Sequence, residues 1–151
     1  MTMDLRDLYQ EVILDHSRKP RNFRQLPNAS VEAKGHNPLC GDRITLQLVV
    51  DENGVIEDVG FQGAGCAIST ASASMMTEVL KGKSEKDVEA LFDAFHELAT
   101  GKNAAVDAER LGKLAVFAGV RDYPVRVKCA TLAWHTMRAA LAEQEAAVST
   151  E

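Results

Sequence analysis

The apolar residues of this chain change their spacing along its length, and that change bounds what it can fold into. From about Ser30 to Gly63 the period is two: Ile44, Leu46, Leu48 and Val50 alternate with Thr45 and Gln47, and Val55, Val59 and Phe61 alternate with Ile56, Asp58 and Gly60. Asp51-Glu52-Asn53-Gly54 separates the two runs, and its Asn-Gly pair tolerates the positive φ angles of a tight turn. This is a hairpin, and Ser30 to Lys34 adds a third strand. On either side the spacing is helical.

A helix is predicted from about Met3 to His16, with Leu5, Leu8, Tyr9, Val12 and Ile13 on one stripe and Asp4 and Asp7 at its positive end. Pro20 breaks it, and Arg18-Lys19-Pro20-Arg21-Asn22 reads as a charged, solvated loop or as a dock for an acidic partner. His16 falls at the helix end, where a cation suits the dipole. Beyond Cys66, the stripe Ile68, Ala71, Met75, Val79 and Leu80 predicts a helix ending near Gly82. Ser84 with Asp87 resembles a cap for a helix from Glu85 to Ala99, carrying Val88, Leu91, Phe92, Phe95 and Leu98 inward. A looser helical stretch follows from Asp107 to Ala118, and Gly119 to Pro124 turns the chain. The last helix is expected from Lys128 to Ala146, with residues 147–151 as a frayed tail.

A length of 151 residues suits one domain spanning 1–151, and 46% apolar residues suffice for a buried core. The formal charge of −5 repels polyphosphate, which argues against nucleic-acid binding as the main activity. No apolar run reaches the roughly 18 residues of a membrane helix, and Met1 to Asp15 lacks the pattern of a secretory signal. A cytoplasmic protein is expected.

The cysteines carry the chemistry. Cys40, Cys66 and Cys129 are odd in number and far apart, which favours reduced thiols over a disulfide framework. Cys40 sits in Asn37-Pro38-Leu39-Cys40-Gly41-Asp42, where a thiol and a carboxylate two residues apart can bend toward one point. Cys66 follows Gly63-Ala64-Gly65 and is expected at a helix start, where unpaired amides favour the thiolate. Cys129 follows Arg126-Val127-Lys128 and is expected at the start of the last helix. Cys40, Asp42, Cys66 and Cys129 number four, as a tetrahedral zinc ion takes, and Arg126 and Lys128 supply cations to offset the charge. Inert buried thiols are the other reading. None of His16, His36, His96 and His135 is needed as a ligand.

These residues resemble a known family. Asn37 to Asp42, Gly65-Cys66-Ala67-Ile68-Ser69 and Arg126 to Trp134 look like the three signatures of the IscU/NifU N-terminal superfamily, and the resemblance extends to Leu8-Tyr9 and to His16 through Asn22. Lys128 stands where scaffold members carry histidine, and Ala99 to Lys113 resembles an inserted segment of the SufU branch. The resemblance implies an α+β fold, with a small three-stranded antiparallel sheet packed against several helices. It implies zinc-dependent sulfur transfer: a pyridoxal-phosphate cysteine desulfurase (SufS-type) makes a persulfide, the SufU-type protein accepts its sulfur, and SufBCD-type assembly proteins receive it. Carried over, Cys40, Asp42, Cys66 and Cys129 are the zinc ligands, Cys40 receives the sulfur, and Arg126 orients Asp42 or the freed thiolate. The alternative within the superfamily is an IscU-type scaffold that builds a [2Fe–2S] cluster, or holds iron, on the same residues.

Overall fold

The computed structural model describes residues 5–38, 41–101, 111–120, 122–142 and 148–149. In chain order the elements are α1 (Leu5–Arg18), β1 (Val31–Asn37), β2 (Asp42–Val50), β3 (Ile56–Ala64), α2 (Ala67–Leu80), α3 (Glu85–Thr100), a 3₁₀ segment (Gly112–Val120), α4 (Pro124–Leu141) and β4 (Val148–Ser149). The sheet runs β3-β2-β1-β4. The first three strands are antiparallel, as expected, with Asn37 opposite Asp42 and Arg43 opposite Ala64. The period-two reading finds its physical basis in the turn. Gly54 has φ +79°, and Asp51 Oδ1 accepts the N–H groups of Asn53 and Val55 at 2.8 and 2.9 Å.

One face of the sheet buries Leu46, Leu48 and Val59 against the helices. Trp134 of α4 is fully buried, stacked on Phe95 of α3 with ring centroids 4.4 Å apart. Its indole N–H donates to Ser72 Oγ of α2 at 3.1 Å, and Ser72 donates on to the Ala130 carbonyl. The large ring therefore gains its burial without leaving a donor orphaned. Ser84 caps α3 by accepting the Asp87 N–H, and Gly101 closes it with φ 81°. No helix among the described residues is long and apolar enough to cross a membrane.

Three expectations are corrected. The last helix starts at Pro124 rather than Lys128, because proline at the first helical position has a suitable φ and no N–H to leave unpaired. The looser helix expected within Asp107 to Ala118 is, from Gly112 onward, a 3₁₀ segment. Leu111, Leu114, Phe117 and Val120 are all buried, and a spacing of three lines up on one side of a 3₁₀ helix. The tail is not wholly frayed: Val148 and Ser149 pair in parallel with Gly35 and His36 of β1. His16 falls in the last turn of α1, as expected, and is buried there at 3% exposure, with Nδ1 2.7 Å from Ser74 Oγ.

Candidate metal centre

The antiparallel register of β1 and β2 brings Asn37 and Asp42 side by side, both with no exposed surface. Gly41 leads into β2 with φ +72°, a left-handed turn that glycine takes without strain. From the far edge, β3 ends at Ala64 and Gly65 passes the chain to Cys66. A Cβ on Gly65 would lie 2.5 Å from Asp42 Oδ1, so only glycine lets the backbone come this close. Cys66 is the N-cap of α2, as its expected helix-start position requires. Its extended φ of −71° and ψ of 168° aim Sγ at the Ser69 N–H, 3.4 Å away.

Asp42 fastens this corner. Its Oδ1 accepts the Cys66 N–H at 2.8 Å, and its Oδ2 lies 3.9 Å from Cys66 Sγ. Cys129 comes from α4. Because that helix begins at Pro124, Cys129 lies in the second turn rather than at the start, 2% exposed, and no open helix end serves it. Asn37 Nδ2 donates to Cys129 Sγ at 3.8 Å. One ligand atom each from Asp42, Cys66 and Cys129 lies within 4.8 Å of the others, the one such group of three among the described residues. It contains no histidine.

Electrostatics favour the thiolate at this point. The Cys66 thiol is lowered from its ordinary 9.0 to about 7, chiefly by a hydrogen bond from Cys129, with the Ser69 and Ile68 N–H groups adding to it. Burial and the Asp42 charge oppose the shift. Two thiols and a carboxylate are accepted zinc donors, and sulfurs about 2.3 Å from a tetrahedral ion stand about 3.7 Å apart. The three groups fit such an ion with a small closure.

Cys40, the expected fourth ligand and sulfur acceptor, lies outside the described residues. Arg126 is exposed on the first turn of α4, with its guanidinium 4.5 Å from the centre of the Tyr123 ring. His96 and His135 face each other across α3 and α4, with ring centroids 5.8 Å apart. Asn37 is the residue that sequence reasoning quoted without giving it a role. Its signal was available: Ala33, Gly35 and Asn37 continue the period of two on the buried side of β1.

A model of the NifU-like N-terminal domain matches residues 8–130. The iron–sulfur cluster assembly scaffold protein IscU of Streptococcus pyogenes is 45% identical over 91% of this chain and 84% of its own. The zinc-dependent sulfurtransferase SufU of Bacillus subtilis is 41% identical over 94% of this chain and 95% of its own. Among solved structures, a Fervidobacterium islandicum protein described as an iron–sulfur cluster assembly scaffold for the SUF system (FiSufU) superposes with a TM-score of 0.82, at 36% identity over 89% of this chain and 96% of its own. The signatures around Cys40, Cys66 and Cys129, the three antiparallel strands and the convergence of their ends on one buried corner thus have a common source: the chain belongs to the NifU-like N-terminal domain family.

Proposed function

We propose that this protein is a zinc-dependent sulfur carrier for iron–sulfur cluster assembly. It takes sulfur from a pyridoxal-phosphate cysteine desulfurase of the SufS type and passes it to SufBCD-type assembly proteins in the cytoplasm. The observation that carries the reading is the Asp42–Cys66–Cys129 group, with Asp42 and Cys129 buried, Cys66 half-buried and their ligand atoms within 4.8 Å of one another. The name of the Bacillus relative and Lys128, placed where scaffold members carry histidine, support zinc over a cluster. Cys40 completes the ligand set.

Zinc, when bound, stabilises the thiolate forms of its ligands at neutral pH. The chain supplies the rest. Asp42 is held ready by the Cys66 N–H, and Cys66 is held by the first turn of α2. Cys40, as a thiolate, attacks the outer sulfur of the desulfurase persulfide. The S–S bond there breaks, the desulfurase thiolate leaves with the electron pair, and a new S–S bond forms on Cys40, so no outside oxidant is needed. Arg126, seated over Tyr123, is the cation that orients Asp42 or the Cys40 thiolate.

The second reading, a scaffold that assembles a [2Fe–2S] cluster on the same residues, is favoured by the name of the Streptococcus relative. Metal analysis of protein purified without reconstitution separates the two. Stoichiometric zinc without visible absorption supports transfer; brown protein containing iron and sulfide supports the scaffold. Under the transfer reading, Cys40→Ser abolishes stimulation of desulfurase turnover, and undiminished stimulation shows that another thiol accepts the sulfur.

A further inference from the structure

We propose that Asn37 is a positioning residue of the metal centre, donating its side-chain N–H to Cys129 Sγ and thereby fixing the sulfur that α4 contributes. The inference rests on the metal-centre reading above. Cys129 is set apart from its partners by its surroundings. Cys66 Sγ receives a backbone N–H from the first turn of α2, and Asp42 is held by the Cys66 N–H. Cys129 stands in the second turn of α4, where backbone N–H groups are committed within the helix. A side-chain donor can orient its sulfur from outside the helix, and Asn37 Nδ2 stands 3.8 Å from it.

Asn37 is well placed for this. It is the last residue of β1 and pairs with Asp42, the first of β2, so the ligand and the donor share one rung of the sheet. Both are fully buried, and β1 packs against α4. An amide there links the strand pair to the helix through the sulfur itself. Its N–H also draws charge from a centre where three thiolates, a carboxylate and Zn²⁺ sum to −2. Groups that hydrogen-bond metal ligands fix ligand orientation, and their loss typically weakens metal binding by about 10–100-fold.

The test uses the full chain. Zinc affinity by chelator competition and the thiolate-to-cobalt charge-transfer band of the Co²⁺ form are read in wild type, Asn37→Ala and the near-isosteric Asn37→Asp, each alone and with Cys129→Ser. The expected result is a loss of about tenfold or more in zinc affinity and a shifted band in both Asn37 variants. With serine at 129, the same Asn37 changes are expected to have no further effect. Unchanged affinity and band, or an equal loss with serine at 129, overturns the inference. A measurement on the unmutated side chain guards against variants that do not fold. The Asn37 side-chain NH₂ resonances should move on zinc loading in wild type and stay still in Cys129→Ser, and an immobile signal in wild type also overturns the inference. If wild type itself takes up neither metal, the metal-centre reading falls first, a result distinct from metal binding that ignores Asn37.

Discussion

Asp42 Oδ1 accepts the backbone N–H of Cys66 at 2.8 Å, so one carboxyl group fastens the start of β2 to the N-cap of α2 while its other oxygen lies 3.9 Å from Cys66 Sγ. The two oxygens can be separated by substitution. Asp42→Asn keeps an oxygen able to accept the N–H but loses the charge a metal ligand needs; Asp42→Ala loses both. Metal affinity is expected to fall in each. Only alanine should destabilise the metal-free protein strongly, by about 1–3 kcal/mol for the abandoned partly buried donor. Urea midpoints of the metal-free forms check this, and equal losses in the two variants would show that the N–H bond is not the source.

Gly65→Ala tests the close approach at the same corner. The added Cβ meets Asp42 Oδ1 at 2.5 Å and Asp42 Cγ at 3.0 Å. That carboxyl group is buried and held by Cys66, so it cannot swing aside like the end of a surface side chain. A destabilisation of about 1–3 kcal/mol is expected, together with weakened metal binding. Gly41→Ala is the contrast. Among the described residues nothing lies within 4 Å of a Cβ there, and the left-handed φ of +72° opposes it. It should cost about 1–2 kcal/mol of backbone strain, without displacing Asp42. Cobalt spectra of the two variants distinguish a disturbed ligand set from a strained loop.

His16 should make stability depend on pH near neutrality. Burial is the main cause lowering its pKa below the ordinary 6.5, and Arg21 and Lys113 push the same way against Glu78 and Asp15. The unfolded chain therefore binds a proton at a higher pH than the folded one. Stability is full above about 6.5 and falls as pH drops below it, levelling off beneath the folded-state pKa. His135 is lowered too, mainly by burial, and adds a slope of the same sign. Comparing wild type with His16→Asn isolates the first group. The urea midpoints of the two should converge as pH is lowered from 7.5 to 5.5, and parallel curves would remove His16 from the account.

Much of this was legible in the sequence because it is local. The hairpin followed from the alternation of Leu46 and Leu48 with their polar neighbours and from Asn53-Gly54. Ser84 and Asp87 announced the cap of α3, and the glycines before Cys66 announced a helix start. What escaped was decided elsewhere in the chain. Nothing near Val148 reveals that β1 has an open edge for it to join. Cys129 read as a helix-start thiol because Pro124 was assigned to a turn, when proline serves equally well as a first helical residue. Asn37 belongs to a motif that could be quoted, but its partner lies 92 residues away on α4. Such a pairing exists only once the sheet and helix have packed.

Zinc should stabilise the fold and should compete with protons for its site. Asp42, Cys66 and Cys129 come from three distant segments, so the unfolded chain offers no comparable site and binding adds to folding stability. At free zinc 100 times its Kd the gain is about 2.7 kcal/mol. For a chain of this size that is about 5–10 °C in Tm. The gain should vanish in Cys66→Ser. The Cys66 thiol, lowered to about 7 in the metal-free protein, is partly protonated there and must release its proton on binding. Affinity should consequently weaken as pH falls from 8 to 6. Calorimetry in buffers of different ionisation heats reads the protons released directly. At pH 7 the count should be clearly above zero and rise toward pH 6. A count of zero would mean that these thiols do not bind the metal.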